Sequence, residues 1–328
     1  MKYRALGSSD LQVSEIGFGG WALGGQWGPQ NDRDSVAALH RAIDLGINFI
    51  DTAEGYGNGR SERVVAEALR QRSERVYVAT KTPPAAGPWP PSPYCTAEER
   101  YPEAYLRANV ETRLRNLGTD CLDVLQLHTW TRAWNRDPVP LEVLRRLREE
   151  GKLRLIGIST PEQDQNCVVD LMRRGYLDVV QIIYNLFDQE PAAELLPTAA
   201  ETGTGVIVRV AFDEGVLTGK YRRGHRFPAD DFRSRYFEGD RLDRAVDRVD
   251  RICADLAEAG LADRYSLADA ALKFVLAHPA VSTVIPGIRS PQQAEANASV
   301  TDKPDLPEAL LQRLRRHHWL RGVWYSGK

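Results

Sequence analysis

Cysteine is scarce in this chain. Its 328 residues include only Cys95, Cys121, Cys167 and Cys253, scattered and without a C-x-x-C pair. So few unpatterned thiols in a chain of this size read as reduced cytosolic thiols, not as a disulfide framework. Histidine is nearly as rare, with six residues that show no metal-ligand spacing. The adjacent His317 and His318 suit a surface helix better than a shared ion, so no metal is expected. No charge of one sign prevails, with 43 basic residues against 45 acidic ones. That balance argues against nucleic acid or a membrane surface as partner. No apolar run approaches the roughly 18 residues needed to span a bilayer. The start, Met1-Lys2-Tyr3-Arg4, leads into polar sequence with no apolar core of a secretory signal, so a cytoplasmic location is expected. Linkers, low-complexity tracts and internal repeats are also missing, and one domain over residues 1–328 is the expectation.

What is present is a strict alternation. Short apolar runs occupy residues 14–19, 48–51, 76–81, 122–128, 153–160, 179–185, 205–211 and 281–287. Most are rich in Val and Ile, as strands buried on both faces are. Amphipathic segments separate them. Gly46, Gly118 and Gly151 stand where helices over 34–45, 103–117 and 141–150 would end. Ser61 and Ser266 are placed to cap helices over 62–71 and 267–278, and Pro161 suits a first helical turn. Eight strands alternating with helices predict parallel βαβ units in one closed (β/α)8 TIM barrel. Residues 1–13 read as an N-terminal hairpin that plugs the barrel's N-terminal end. Long loops over 83–101 and 220–241 follow strands, which puts them on the C-terminal face, and an extra helix is expected near 242–259.

Polar residues gather at the strand ends. Asp51, Lys81, His128, Ser159 and Arg209 each lie at or near the end of an apolar run, and Gln126 and Gln181 lie within one. A residue ending a barrel strand points toward the mouth. Each taken singly has an ordinary structural reading, as a buried ion pair or a satisfied core histidine; their convergence on one mouth points to chemistry. Asp51 and Lys81 on neighbouring strands can pair and keep the lysine charged. Tyr56 follows in a Gly-Tyr-Gly turn that can fold back over the mouth. A free tyrosine, with a pKa near roughly 10, is a poor proton donor and acceptor at neutral pH; an adjacent ammonium is expected to lower that value. His128 can bond and orient a substrate carbonyl oxygen. The set suits hydride addition to a carbonyl, and since no side chain donates hydride, a nicotinamide cofactor is implied.

At this point the residues resemble the aldo-keto reductase family over nearly the whole chain. The stretch Gly-Ile-Asn-Phe-Ile-Asp-Thr-Ala-Glu-Gly-Tyr-Gly at 46–57 carries the resemblance most specifically, with Ala-Thr-Lys at 79–81 and Leu-Gln-Leu-His at 125–128. The resemblance implies Asp51, Tyr56, Lys81 and His128 as catalytic residues and reversible reduction of an aldehyde or ketone. It implies Ser159 and Gln181 at the cofactor's carboxamide, with Thr160 replacing the usual asparagine and Arg209 replacing a common aromatic residue. Leu217 and Lys220, in Gly-Val-Leu-Thr-Gly-Lys at 215–220, and Gly287 fall on its nucleotide loops. Arg289 would contact a 2′-phosphate, with Gln293 and Asn297 toward the adenine. A guanidinium can grip phosphate with two parallel hydrogen bonds, which favours NADPH over NADH. A small carbonyl compound is the expected partner, and the chain is expected to be a monomer, as family members often are.

Other features of the sequence bear on this reading. Gly17-Phe-Gly-Gly-Trp-Ala22 matches a dinucleotide fingerprint in form, but no helix pattern follows it, so it reads as a strand end and substrate-side loop. Trp21, Trp27, Trp89, Trp130 and Trp134 fall in loops after strands. Trp21, Trp89 and Trp130 are the expected pocket walls, as aromatic residues in mouth loops suit an apolar substrate body. Lys220, Arg222, Arg223, Arg226, Arg233 and Arg235 are either a solvated face or a clamp over pyrophosphate. Two further functions remain at this stage: a Schiff-base barrel lyase using Lys81, and a cofactor-binding sensor or subunit with little turnover.

Overall fold

The computed structural model describes residues 1–25, 27–28, 30–89 and 91–320. Two short strands, β1 (Tyr3–Ala5) and β2 (Gln12–Ser14), pair antiparallel as a hairpin. Eight parallel strands follow: β3 (Phe18–Gly19), β4 (Phe49–Asp51), β5 (Tyr77–Thr82), β6 (Leu122–Leu127), β7 (Leu153–Ser159), β8 (Val179–Ile183), β9 (Gly205–Arg209) and β10 (Val281–Val284). Each pairs with its sequence neighbour. The first and last then meet. Isolated parallel bridges join Ile16 to Val284 and Gly19 to Gly287, with Gly17 N–H donating to the Val284 carbonyl at 2.8 Å. The sheet is thereby closed into the expected barrel, and helices form the crossovers between its strands.

The period of two along a strand explains how the interior is layered. Phe49, Ala79, Val124, Val179 and Ile207 form one buried apolar cluster inside the barrel. Two residues further on, on the same face, stand Asp51, Lys81, Gln126, Gln181 and Arg209. The lower layer is therefore apolar and the layer above it polar. Leu6, Leu11 and Val13 of the hairpin join the same cluster, fully buried, so the hairpin does plug the N-terminal end.

Several helix boundaries differ from the sequence-based expectation. Helix Glu103–Leu117 ends at Gly118 as expected, with φ 66°, a left-handed conformation that glycine takes without strain. Ser266 also caps its helix, Leu267–Leu276, in a reciprocal box with Asp269. Ser61 does not cap. Helix Arg60–Leu69 begins after Gly59, and the Ser61 hydroxyl instead donates to the Gly20 carbonyl at 2.9 Å, tying that helix to the first mouth loop. Pro161 starts no helix, because residues 161–163 are used as cavity wall; the next α-helix is only Val169–Arg173. The extra helix after the seventh barrel strand spans Arg241–Glu258.

Candidate active site

The polar layer converges on one ammonium. Lys81, fully buried, donates to Asp51 Oδ1 at 2.5 Å, to the Thr52 carbonyl at 2.9 Å and to the Tyr56 hydroxyl at 3.0 Å. Those three acceptors use all three of its N–H bonds. Asp51 Oδ2 accepts from Gln181 Nε2 at 2.7 Å, and Gln181 Oε1 accepts from the Ser159 hydroxyl at 3.5 Å. One chain of contacts thus runs from Ser159 through Gln181, Asp51 and Lys81 to Tyr56. Sequence reasoning put Gln181 and Asp51 on the same mouth but did not foresee that they bond.

Electrostatics follow from this burial. Burial alone disfavours a charged lysine, yet Asp51 and Tyr56 outweigh it and raise the Lys81 pKa above its ordinary value. A lysine held charged is no Schiff-base nucleophile, which removes the support for the lyase reading. The expectation of an acidified Tyr56 needs correction. Burial raises its pKa above 10.0, and the opposing pull of Lys81 does not overcome it. His128 is lowered well below 6.5 by burial and by the nearby Lys81 and Arg209 cations, so its ring is neutral at physiological pH. Its ring lies edge-on to Tyr56, with centroids 5.9 Å apart.

Above this floor lies a cavity of about 810 Å³, within the roughly 300–1,000 Å³ usual for ligand pockets. Asp51, Tyr56 and His128 line it, as do Ser159, Gln181, Arg209 and Gly287. Its aromatic wall differs in part from expectation. Trp21 and Trp89 line it, and Trp89 sits edge-on to His128 at 5.5 Å between centroids. Trp130 does not. It is buried beneath the loop, donates to Asn135 Oδ1 at 2.8 Å and packs on Trp134, because a strand-end tryptophan finds core as readily as mouth. Trp27 and Phe232 take the wall position instead; each has a ring against Trp21, at 5.7 and 5.3 Å. Phe232 comes from a loop too distant in sequence to have been threaded there.

The expected cofactor residues separate into two sets. Arg209 lines the cavity with its Nη2 anchored on the Thr160 carbonyl at 3.1 Å and its buried Nε without an acceptor among the described residues. The Thr160 hydroxyl donates into the sheet, to the Gln181 carbonyl at 3.1 Å. At the outer end, Lys220, Arg233 and Arg289 gather closely enough that burial and the other two cations lower the Lys220 pKa. Arg289 Nε donates to Gln30 Oε1 at 3.0 Å, and Gln293 accepts the Arg289 backbone N–H at 2.7 Å, just before helix Pro291–Ser299. Asn297 is buried on that helix, away from the cavity wall. Leu217 is likewise off the wall: its side chain is core and its N–H is used by the Phe212 carbonyl. The basic run also divides. Arg223 pairs outward with Asp247, while Arg233 turns inward, bound to Asp231 at 2.5 Å and lying 4.8 Å from the Trp27 ring.

Among the described residues no cluster of His, Cys, Asp and Glu could hold a metal ion, and no helix is long and apolar enough to cross a membrane. The fold and its mouth define a barrel enzyme whose site holds a tyrosine, a charged lysine and a neutral imidazole at a cavity that Arg209 also lines. The chain belongs to the Aldo/keto reductase family, whose model matches residues 15–318. It is 31% identical over 316 residues to aldo-keto reductase YhdN of Bacillus subtilis (strain 168), covering 92% of this chain and 89% of that protein. It is 29% identical over 321 residues to the NADH-specific methylglyoxal reductase of Escherichia coli (strain K12), covering 91% and 93%. Among solved structures, the holo form of aldo-keto reductase AKR11C1 from Bacillus halodurans matches with a TM-score of 0.76 at 27% identity, over 97% of this chain and 96% of that one. Glycerol dehydrogenase AKR11B4 from Gluconobacter oxydans matches with a TM-score of 0.78 at 27% identity, over 96% and 94%. The chain is accordingly an oxidoreductase that acts on carbonyl or alcohol groups of small molecules with a nicotinamide cofactor.

Proposed function

We propose that the chain reduces an aldehyde or ketone to the alcohol, reversibly, with Tyr56 as proton donor and NADPH as cofactor. One observation carries the assignment: a single buried ammonium, Lys81, bonds Asp51 and Tyr56 at once on the floor of a cavity that His128 also lines. The nicotinamide cofactor, when bound, supplies the hydride that no side chain can. The protein's part is the proton and the charge. Tyr56 O–H donates to the substrate oxygen as negative charge develops there, and Lys81 stabilises the phenolate left behind. Asp51 keeps Lys81 charged through the cycle. Neutral His128 bonds the same oxygen and orients it without becoming a rival acid.

The lining fits the cofactor. Ser159 and the Gln181 side-chain oxygen would meet the carboxamide, one Gln181 side-chain N–H being already given to Asp51. Arg209 offers an unmatched buried donor beside them. Lys220, Arg233 and Arg289 would face the phosphates, and Arg289 the 2′-phosphate in particular.

The test is Tyr56→Phe. Nucleotide affinity is expected to persist while turnover falls about 10²–10⁴-fold. A folded variant that no longer binds nucleotide would contradict the division of roles. Arg289→Ala is expected to weaken NADPH much more than NADH. Equal weakening of both would mean that a 2′-phosphate sits elsewhere.

A further inference from the structure

The loop after β9 is the most strained segment of the described chain. Four non-glycine residues have positive φ, and three of them lie here: Val210 (56°), Asp213 (45°) and Glu214 (55°). Such conformations cost of order 1–3 kcal/mol each and persist where the surroundings impose them, commonly at functional sites. What the strain places is a carboxyl. Glu214 is only 8% exposed and lines the active-site cavity. It has no hydrogen-bond or ion-pair partner among the described residues, whereas its neighbour Asp213 accepts from the Tyr236 hydroxyl at 3.1 Å. An unmatched carboxyl at a cavity wall awaits a ligand group.

The surroundings define that group. Arg209 faces Glu214 from the end of β9, Arg233 from the short helix Arg233–Tyr236, Glu162 from the segment after β7, and Asp213 from its own loop. Lys220, five residues from Gly215, and Tyr221, bonded to Arg233, stand on the same side. The cations suit an anion. A carboxylate among them would repel that anion, because an ionised carboxylate only accepts hydrogen bonds; the protonated carboxyl instead donates one. Burial, Asp213 and Glu162 push the Glu214 carboxyl up to about 8 against the opposing arginines. A neighbouring phosphate adds negative charge and pushes it further in the same direction.

We propose that Glu214 is a nucleotide-contacting group that keeps its proton while the dinucleotide is bound, so that binding draws a proton from solution. This rests on the reading above, in which the dinucleotide occupies this cavity. Binding then weakens as pH rises past the point at which the empty site loses its proton, by about tenfold per pH unit.

Calorimetric titration with NADPH near pH 8.5, in two buffers of different ionisation enthalpy, reads the proton directly. The wild-type chain is expected to take up most of one proton. Glu214→Gln is expected to bind with almost no uptake and with an affinity that stays level as pH rises. Lys220→Met removes the neighbouring ammonium, whose lowered pKa could also take up a proton, and is expected to retain the uptake. Wild-type binding without proton uptake, or uptake undiminished in Glu214→Gln, would overturn the proposal. If the wild-type chain bound neither NADPH nor NADH, the cofactor reading would fall, and this proposal with it.

Discussion

The two walls that flank the cavity are built on opposite principles. Behind Tyr56 every charge is matched. Glu54, in the turn that carries the tyrosine, accepts from Arg113 Nη1 and from Asn109 Nδ2, both at 2.5 Å. Arg113, with 2% of its side chain exposed, also pairs with the fully buried Glu62 at 2.8 Å, and Thr80 and Asn116 complete the Glu62 carboxylate at 2.6 and 2.7 Å. Elsewhere on the cavity wall, Glu214 stands on strained backbone without a partner among the described residues. The contrast teaches a division of labour. On the proposed reading Tyr56 is the proton donor and must be held in place, and the network of paired ions behind it does so. A wall that meets a charged ligand keeps its bonding capacity open instead.

The contrast can be broken most forcefully at Arg113. Arg113→Met leaves the buried Glu62 and the part-exposed Glu54 without their cation, and breaking a buried pair such as Arg113–Glu62 costs about 3–5 kcal/mol. Denaturant unfolding measures it. A loss below about 1 kcal/mol would mean that the network behind Tyr56 is no firmer than surface ion pairs.

A smaller effect is expected at Glu214, and it depends on pH. The carboxyl titrates near 4.5 when unfolded and near 8 in the fold. Between those values the folded chain holds a proton that the unfolded chain has released. Stability from this group is thus fully present below pH 4.5 and is lost as pH climbs to 8. Glu214→Gln lacks the term. Its unfolding midpoint relative to wild type is expected to rise from pH 5 to pH 8. A constant difference would show that the loop does match the carboxyl after all.

Smaller still are changes at the aromatic wall. Trp89→Ala is expected to raise the KM for a carbonyl substrate roughly tenfold, equivalent to about 1.4 kcal/mol. Trp130→Phe should leave KM unchanged, since Trp130 lies off the cavity wall. Steady-state kinetics on the two variants separate wall from core, and equal KM shifts would return Trp130 to the pocket.

What could be read from the sequence, and what could not, follows the same division. Asp51, Lys81, Gln126 and His128 were visible because a period of two converts spacing into a shared face. Each stands two residues above an apolar position of the lower layer, or, for His128, above Gln126. Tyr56 was visible through its glycine-flanked turn. Arg113 and Glu62 were hidden: on a helix they are two charges among many, and only the packing of Arg60–Leu69 against Glu103–Leu117 makes them interior. Trp27 and Trp130 exchanged places because loop threading, not residue type, decides which tryptophan meets the cavity. The acidity of Tyr56 was misjudged for a related reason. Adjacency to Lys81 could be inferred from strand order, but the depth of burial could not, and burial prevails.

That last point gives the smallest expected effect, which is almost none. If burial prevails over Lys81, Tyr56 stays protonated up to and beyond 10.0, while His128 stays neutral from well below 6.5. The proposed reduction needs both of those states. Its kcat, measured at saturating nucleotide so that Glu214 does not enter, is expected to stay level between pH 6.5 and 10.0 and to fall only on the alkaline side. Alcohol oxidation needs the phenolate and should rise across the same interval. A reduction profile that falls with a midpoint near 8 would show that Lys81 governs the tyrosine. The matched wall would then be tuning the acid as well as holding it, and the two walls would differ less than their bonding suggests.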